Sequence, residues 1–170
     1  MHEATLIIFA GLPGVGKTEI ARELARQIGA VYLRIDSIEQ ALRDSGAIPP
    51  PDDAGYCVGY ALAEDNLRLG RSVIADSVNP LQVTRNAWRE VGVRARVTSV
   101  EIEIQCSDRS EHRRRVETRA SDIPNLQLPT WEDVLSREYH TWNREHIVID
   151  TARSSVEQSV SRIRELWPNE

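Results

Sequence analysis

Eight consecutive residues near the start of the chain have the types and the spacing of a binding motif. The stretch Gly11-Leu12-Pro13-Gly14-Val15-Gly16-Lys17-Thr18 fits the pattern G-x-x-x-x-G-K-[ST] at every fixed position. Its glycines let successive backbone N–H groups turn inward, where they would bind phosphate oxygens. Lys17 would reach the β- and γ-phosphates of a nucleotide, and Thr18 would place its hydroxyl on Mg²⁺. The motif predicts a phosphate-binding loop.

The neighbouring segments must hold this loop at a strand-to-helix turn. Ahead of it, Thr5 to Ala10 is a short apolar run that is typical of a buried parallel strand. Behind it, Ile20, Leu24 and Ile28 recur at helical spacing, and a helix beginning near Lys17 would add the positive end of its dipole. This context favours a phosphate loop over the alternative, a Gly-rich turn with one surface lysine.

The rest of the chain alternates between strands and helices. Further strands are predicted at 30–35, 72–76, 96–105 and 146–150, and further helices at 37–43, 54–69, from Pro80 up to Gly92, at 108–119, from Thr130 through Trp142 and at 156–167. In the segment 54–69, the apolar positions Val58, Ala61, Leu62 and Leu69 indicate the helix, and Gly70 would close it. A Pro-rich loop spans residues 46–53. The alternation predicts an α/β fold, a five-stranded parallel sheet with helices on both faces.

Composition and charge favour one domain inside the cell. A chain of 170 residues with a net charge of -5 and a pI near 5.5 lacks the basic footprint of a general nucleic-acid binder. Cys57 and Cys106 are too few and too scattered for a disulfide framework or a zinc site, and the histidines show no metal-ligand spacing. Neither a leader peptide nor a membrane span is evident, so the protein is expected to be cytoplasmic, without membrane attachment.

Two aspartates follow predicted strands at the edge of the sheet where the phosphate loop begins. Ligands of open parallel sheets bind outside the carboxyl ends of the strands, and Gly11, Asp36 and Asp76 all fall there. Asp36 could merely cap the following helix, and Asp76 could merely start the turn before Asn79.

Several of these segments together resemble a known family. The phosphate loop, Arg34-Ile35-Asp36-Ser37-Ile38, Val73-Ile74-Ala75-Asp76-Ser77-Val78-Asn79-Pro80, and the pair Arg115 and Arg119 resemble the small P-loop kinases related to polynucleotide kinase and chloramphenicol phosphotransferase. The resemblance spans nearly the whole chain, including the last strand and its turn, where relatives place the adenine. It implies a P-loop NTPase fold similar to nucleoside kinases, as one domain over residues 1–170 with a short lid at about 115–128.

The resemblance also implies roles for individual residues. Asp36 would accept the proton of the acceptor hydroxyl, while Asp76 and Asn79 would contact the acceptor and Thr18 and Asp76 the metal. Arg115 and Arg119, four residues apart on one predicted helix face, would clamp the nucleotide, although Glu111 could simply pair with Arg115. The nucleotide-binding residues would be Gly11, Pro13, Gly14, Val15, Gly16, Lys17, Thr18, Glu19 and Arg153.

We therefore expect an ATP- and Mg²⁺-dependent kinase that transfers the γ-phosphoryl group to a hydroxyl of a small molecule. The alternatives are a polynucleotide 5′-hydroxyl kinase and a nucleotide-binding regulatory ATPase without an acceptor. Where polynucleotide kinases carry an arginine three residues after the catalytic aspartate, this chain has Glu39, which would repel a nucleic-acid phosphate. This departure favours a neutral or cationic small acceptor.

Overall fold

Five parallel strands form the centre of the structure, a computed structural model that describes residues 3–46 and 53–167. The strands are β1 (Thr5–Ala10), β2 (Val31–Arg34), β3 (Val73–Asp76), β4 (Thr98–Gln105) and β5 (Ile147–Asp150), in the order β2-β3-β1-β4-β5. The helices are α1 (Lys17–Ile28), α2 (Ile35–Asp44), α3 (Ala54–Arg68), α4 (Gln82–Ala95), α5 (Arg109–Thr118), α6 (Trp131–Ser136) and α7 (Val156–Leu166). The predicted fold class is confirmed. The predicted Pro-rich loop lies mostly outside the described residues.

The central strand β1 is buried along its whole length because helices cover both faces of the sheet. Its alternate side chains belong to two separate hydrophobic cores, one on each face of the sheet. Ile7 and Phe9 pack with residues of α1 and α7, whereas Leu6 and Ile8 pack with residues of α3 and α4. Strands β1, β3 and β2 end level, since Asp76 is in register with Phe9 on one side and with Arg34 on the other. The loops that follow these strands consequently meet at one edge.

Helix α3 forms where it was predicted, but the apolar positions that indicated it are not its buried side. Leu62 and Leu69 are 42% and 78% exposed, and the buried side is the row Gly55, Gly59, Ala63 and Leu67. A Cβ at Gly59 would lie only 2.6 Å from Ile35 Cδ1 and 3.3 Å from the Trp88 ring. Close approach between helices selected small residues here, which a hydrophobicity pattern does not identify as a buried face.

The sequence predicted a helix that opens at Pro80 and ends before Gly92. Helix α4 instead begins at Gln82 and continues to Ala95. Gly92 is a buried residue inside the helix, and the left-handed residue that ends it is Arg96, with φ 59°. A Cβ at Gly92 would lie 2.1 Å from Ser99 Oγ on the next strand. The glycine therefore provides space between α4 and β4 and does not stop the helix.

Helix α6 is much shorter than predicted. Thr130 caps it as expected, through a reciprocal capping box with Asp133, but the helix ends at Ser136, so Tyr139 and Trp142 lie beyond it. The chain there crosses the buried side chain of Arg85 instead. The His140 carbonyl accepts a hydrogen bond from Arg85 at 2.9 Å, and the Trp142 ring lies 4.1 Å from the Arg85 guanidinium carbon.

Arg85 joins two loops that border the sheet edge. Its side chain is fully buried, and it donates hydrogen bonds to the carbonyl oxygens of Asn79 at 3.0 Å and Pro80 at 3.2 Å as well as to His140. A guanidinium is suited to this position because its fixed fork of donors can reach several carbonyls at once. Strand β3 ends at Asp76, and Arg85 fixes the segment that follows it against the segment after α6.

We expect Arg85→Met to lower the free energy of unfolding by on the order of 3 kcal/mol, because it leaves buried carbonyls without a donor. Arg89→Met, one turn along the same helix at an exposed position, is the matched control and should change stability little. Urea denaturation of both variants measures the difference. Equal losses in the two variants would contradict the structural role of Arg85.

Candidate phosphate-binding and transfer site

The phosphate loop connects β1 to α1 in a conformation that requires glycine. Gly14 and Gly16 have φ of 83° and 101°, in the left-handed region, and Gly16 is the N-cap of α1 without any side-chain cap. A Cβ at Gly14 would also lie 2.5 Å from Val116 Cγ2 of α5. The first turn of α1 lines the cavity and has no capping side chain, which leaves its amides available to an anion.

Lys17 is buried at the first position of α1, with 8% of its surface exposed. Its Nζ donates a hydrogen bond to the Leu12 carbonyl at 3.2 Å, which closes the loop on itself. Burial lowers the pKa of the Lys17 ammonium, and the nearby carboxylates of Asp76 and Asp36 act in the opposite direction. It is also the only lysine in the chain, since every other residue of the Lys and Arg set is arginine.

Thr18 and Asp76 meet directly, as the prediction of a shared metal site requires. Thr18 Oγ1 donates to Asp76 Oδ2 at 2.8 Å, and the Tyr32 hydroxyl donates to the same oxygen at 2.7 Å. Burial and the Asp76 carboxylate raise the pKa of Tyr32, so it remains a donor. A hydroxyl and a carboxylate are oxygen donors of the kind that Mg²⁺ prefers. No group of three or more His, Cys, Asp and Glu in the described residues could hold a metal. Mg²⁺ would thus need phosphate and water ligands as well.

Asp36 lies in the first turn of α2, close to the end of β2. The strand is shorter than predicted and the helix begins earlier, at Ile35, so Asp36 does not cap a helix that starts at Ser37. Asp36 lines the same cavity as Lys17 and Asp76. The two aspartates therefore approach the phosphate loop from neighbouring strand ends, as the sequence predicted.

A cavity of about 950 Å³ runs from the phosphate loop across to α2 and α3. The predicted site residues that line it are Pro13, Gly14, Gly16, Lys17, Thr18, Glu19, Asp36, Asp76, Arg115 and Arg119. Four others do not line it. Gly11 and Val15 are loop residues that are buried away from the cavity, and Asn79 is completely buried. Arg153 is exposed in the turn after β5.

Asn79 makes several hydrogen bonds within the fold. It adopts a left-handed conformation, with φ 47°, and its Oδ1 accepts a hydrogen bond from Thr84 Oγ1 at 2.8 Å. Its backbone N–H donates to the Tyr56 hydroxyl at 3.0 Å, and its carbonyl accepts from Arg85. The residue shapes the turn after β3, while Ser77 and Val78 beside it line the cavity.

The two predicted lid arginines differ in position and in environment. Helix α5 ends at Thr118 and Arg119 is extended, so they do not share a helix face as predicted. Arg115 is fully engaged, since it donates to Glu111 at 2.7 Å and to the hydroxyl and carbonyl oxygens of Thr151 at 2.9 Å each. The alternative in which Glu111 pairs with Arg115 is confirmed. Arg115 nevertheless borders the cavity.

Arg119 has the opposite character. Its Nε and Nη2 are buried and have no acceptor among the described residues. Burial lowers the pKa of the Arg119 guanidinium, and the carboxylate of Asp36 opposes this effect. A buried donor without a partner is costly, and an anion in the cavity would satisfy it. Arg119 therefore lines the cavity with two donors that no described residue engages.

The structure adds cavity residues that the sequence analysis missed. Asp122, in the predicted lid, accepts a hydrogen bond from Arg34 at 2.8 Å and pairs with Arg22. These two arginines lower the pKa of Asp122 to about 2. Arg137 lines the cavity from beyond α6. No sequence signal pointed to them, because their partners are distant in the chain and no motif includes them.

Within the described residues, no helix is long and apolar enough to cross a membrane.

Comparisons with solved structures agree with this fold. The APS kinase CysC of Mycobacterium tuberculosis, solved with AMPPNP and APS, is 18% identical over 98% of each chain, with a TM-score of 0.70. The gluconokinase of Sinorhizobium meliloti 1021 is 16% identical over 98% of this chain and 97% of its own, with a TM-score of 0.65. Kti12 of Chaetomium thermophilum, solved with ADP-AlF3, is 22% identical over 94% and 97%, with a TM-score of 0.69. The fold is thus kinase-like.

Sequence comparison identifies the family. No curated protein matches the chain. The comparisons show no link to polynucleotide kinase or chloramphenicol phosphotransferase, and that finer resemblance stays a prediction. Residues 6–138, well over half of the sequence, match the model of the family described as AAA domain. Because the match includes the phosphate loop and every cavity-lining element named above from β1 to Arg137, the chain belongs to the AAA-domain family.

Proposed function

We propose that the protein transfers the γ-phosphoryl group of ATP to a hydroxyl of a small-molecule acceptor. The observation that carries this proposal is the extent of the cavity. Lys17, the Thr18–Asp76 pair and Arg119 lie with Asp36 along one continuous space, which goes on past the phosphate loop to α2 and α3. A site that only bound and hydrolysed a nucleotide would not need this second half.

The nucleotide end of the cavity would bind the triphosphate. Backbone amides of the loop and Lys17 would contact the phosphates, with Glu19 at the cavity wall and Arg153 toward the base. Thr18 and Asp76 would hold Mg²⁺, which would neutralise charge on the phosphates when bound. Two structures of similar fold were solved with AMPPNP and with ADP-AlF3, which supports the assignment of a nucleotide to this end.

Asp36 and Arg119 would carry the transfer itself. The acceptor oxygen would form a bond to the γ-phosphorus while the bond from that phosphorus to the bridging oxygen of ADP breaks. The proton of the acceptor hydroxyl would pass to Asp36, a general base at the cavity wall. Arg119, whose buried donors have no other acceptor among the described residues, would stabilise the charge on the phosphoryl group in the transition state.

The far end of the cavity favours a neutral or cationic acceptor over a nucleic acid. Glu39 lines this end of the cavity. Gly55 leaves room for the Glu39 side chain, since a Cβ at Gly55 would lie 2.3 Å from Glu39 Cγ. Its ion pair with Arg43 is long, at 3.5 Å. Burial and the neighbouring Asp36 raise the pKa of Glu39, so a cationic partner would stabilise its ionised form. The ionised form of Glu39 would repel a nucleic-acid phosphate.

Several finer assignments remain predictions beside this proposal. They are the single domain over residues 1–170, the closing lid at 115–128, the contact of Asp76 and Asn79 with the acceptor, and the cytoplasmic location. A regulatory ATPase needs only the nucleotide end of the cavity, and a polynucleotide kinase needs a different far end. Both are outcomes of the experiments below.

Because Lys17 is the only lysine, a lysine-reactive acyl phosphate of ATP should label one side chain, and excess ATP should prevent the labelling. Peptide mapping by mass spectrometry identifies the site. Lys17→Arg, which keeps the charge, should abolish the labelling, and Lys17→Ala should abolish phosphoryl transfer while the protein stays folded. Labelling that ATP does not reduce, or near wild-type transfer in folded Lys17→Ala, would refute the phosphate-loop assignment.

Asp36→Asn should retain AMPPNP affinity but reduce transfer by about 10²–10⁴-fold, because the amide keeps the shape and cannot accept a proton. The assay supplies γ-labelled ATP with a desalted small-metabolite extract, or with a 5′-hydroxyl oligonucleotide, and follows the label. The matched control is Asp44→Asn on the same helix, whose contact with Gln40 an asparagine oxygen can preserve.

The product that carries the labelled phosphoryl group distinguishes the three candidate functions. Label in a small metabolite, lost in Asp36→Asn and kept in Asp44→Asn, supports the proposal. Efficient end-labelling that weakens steeply with salt would establish the polynucleotide kinase instead. Label released only as inorganic phosphate would establish an ATPase. A parallel fall of affinity and turnover in Asp36→Asn would show that Asp36 binds the nucleotide or supports the fold.

Arg119→Gln should separate activity from stability. Transfer should fall by roughly 10³-fold, because the variant loses a cation that neutralises the transferring group. The free energy of unfolding should stay equal or rise, since a desolvated guanidinium with unpaired donors is removed from the free protein. Turnover and urea denaturation are measured on the same preparation. A clear loss of stability would show that Arg119 has a structural partner.

A further inference from the structure

Two carbonyl groups of the phosphate loop are held from behind by side chains that the motif does not contain. The first is that of Pro13. His112 of α5, only 7% exposed, lies with Nε2 at 2.8 Å from the Pro13 oxygen. A carbonyl can only accept, so Nε2 carries the hydrogen and donates it. The ring is fixed by an edge-to-face contact with Trp131, at 5.1 Å between centroids.

The second is the carbonyl of Val15. Thr151, in the turn after β5, is 5% exposed, and its hydroxyl donates to the Val15 oxygen at 2.6 Å, the shorter of its two contacts with carbonyls. Arg115 holds Thr151 in turn, through hydrogen bonds of 2.9 Å to its hydroxyl and to its carbonyl oxygen. The hydroxyl thus accepts from Arg115 and donates to the loop.

Peptide geometry connects these contacts to phosphate binding. In a trans peptide the C=O of one residue and the N–H of the next point in opposite directions, and the described chain has no cis bond. Because the Pro13 carbonyl points toward His112 of α5, the Gly14 N–H points away from α5. Because the Val15 carbonyl points toward Thr151, the Gly16 N–H points away from Thr151. Both glycines line the cavity, and no described residue accepts a hydrogen bond from either amide.

We infer that His112 and Thr151 are positioning residues of the phosphate loop, each aiming one amide at the phosphates. Glycine peptides can rotate with little steric cost, so the loop itself does not fix the direction of these N–H groups. Side-chain donors on the outer side supply that constraint before a ligand arrives. The inference rests on the proposed binding of a nucleotide at this loop, and it gives Arg115 a role through Thr151.

The test uses ¹H–¹⁵N spectra of the whole protein with and without Mg²⁺–AMPPNP. In the wild type, binding should move the amide protons of Gly14 and Gly16 downfield as they meet phosphate. His112→Leu should reduce the shift at Gly14 and leave that at Gly16, whereas Thr151→Val should do the reverse. Each variant should bind AMPPNP roughly tenfold more weakly by calorimetry, the effect of about one lost hydrogen bond.

Conservative variants and a matched control complete the design. His112→Gln and Thr151→Ser keep a donor and should recover the shift and most of the affinity. Thr118→Val removes a hydroxyl of α5 that donates to the Arg114 carbonyl, and it should change neither amide. Unchanged or equally reduced shifts at both glycines in the two main variants would overturn the inference alone. A wild type that does not bind AMPPNP would overturn the proposed function with it.

Discussion

The buried ammonium of Lys17 is the charge on which the arrangement of this site depends. Removing a cation from water is unfavourable, and here burial lowers its pKa while Asp76 and Asp36 offset part of that cost. Those carboxylates must therefore lie close by, at the ends of neighbouring strands. The level ends of β1, β2 and β3 provide this placement, since Asp76 is in register with both Phe9 and Arg34.

The contrast between this lysine and the arginines explains how the remaining cations are used. Arginine presents a planar fork that can hold several fixed acceptors, as Arg85 and Arg115 do with backbone carbonyls. Lysine is a compact charge on a flexible stem, which can follow a phosphate chain into a narrow loop. The chain uses lysine once, at the loop, and Arg85 and Arg115 each fasten one segment to another.

Local signals predicted most of the fold and the phosphate end of the site. The glycine spacing, the apolar run of β1 and the helical period of α1 belong to neighbouring residues, so the sequence alone placed Lys17, Thr18, Asp36 and Asp76 at one edge. Features set by distant contacts were missed. The small-residue face of α3 reflects the approach of Ile35 and Trp88, and the short α6 reflects the crossing of Arg85. Neither neighbour is visible in the local pattern.

The arginine pair shows most clearly where the sequence pattern stops being informative. A four-residue spacing predicted two equivalent clamps, yet Thr151 occupies the donors of Arg115 while those of Arg119 are buried without an acceptor among the described residues. In the proposed function, the first arginine supports the loop through Thr151 and the second binds the phosphoryl group. Lys17, which is buried, and Arg119, which is half-buried, line the same cavity and repel each other, and the negative charge of a triphosphate would offset this repulsion.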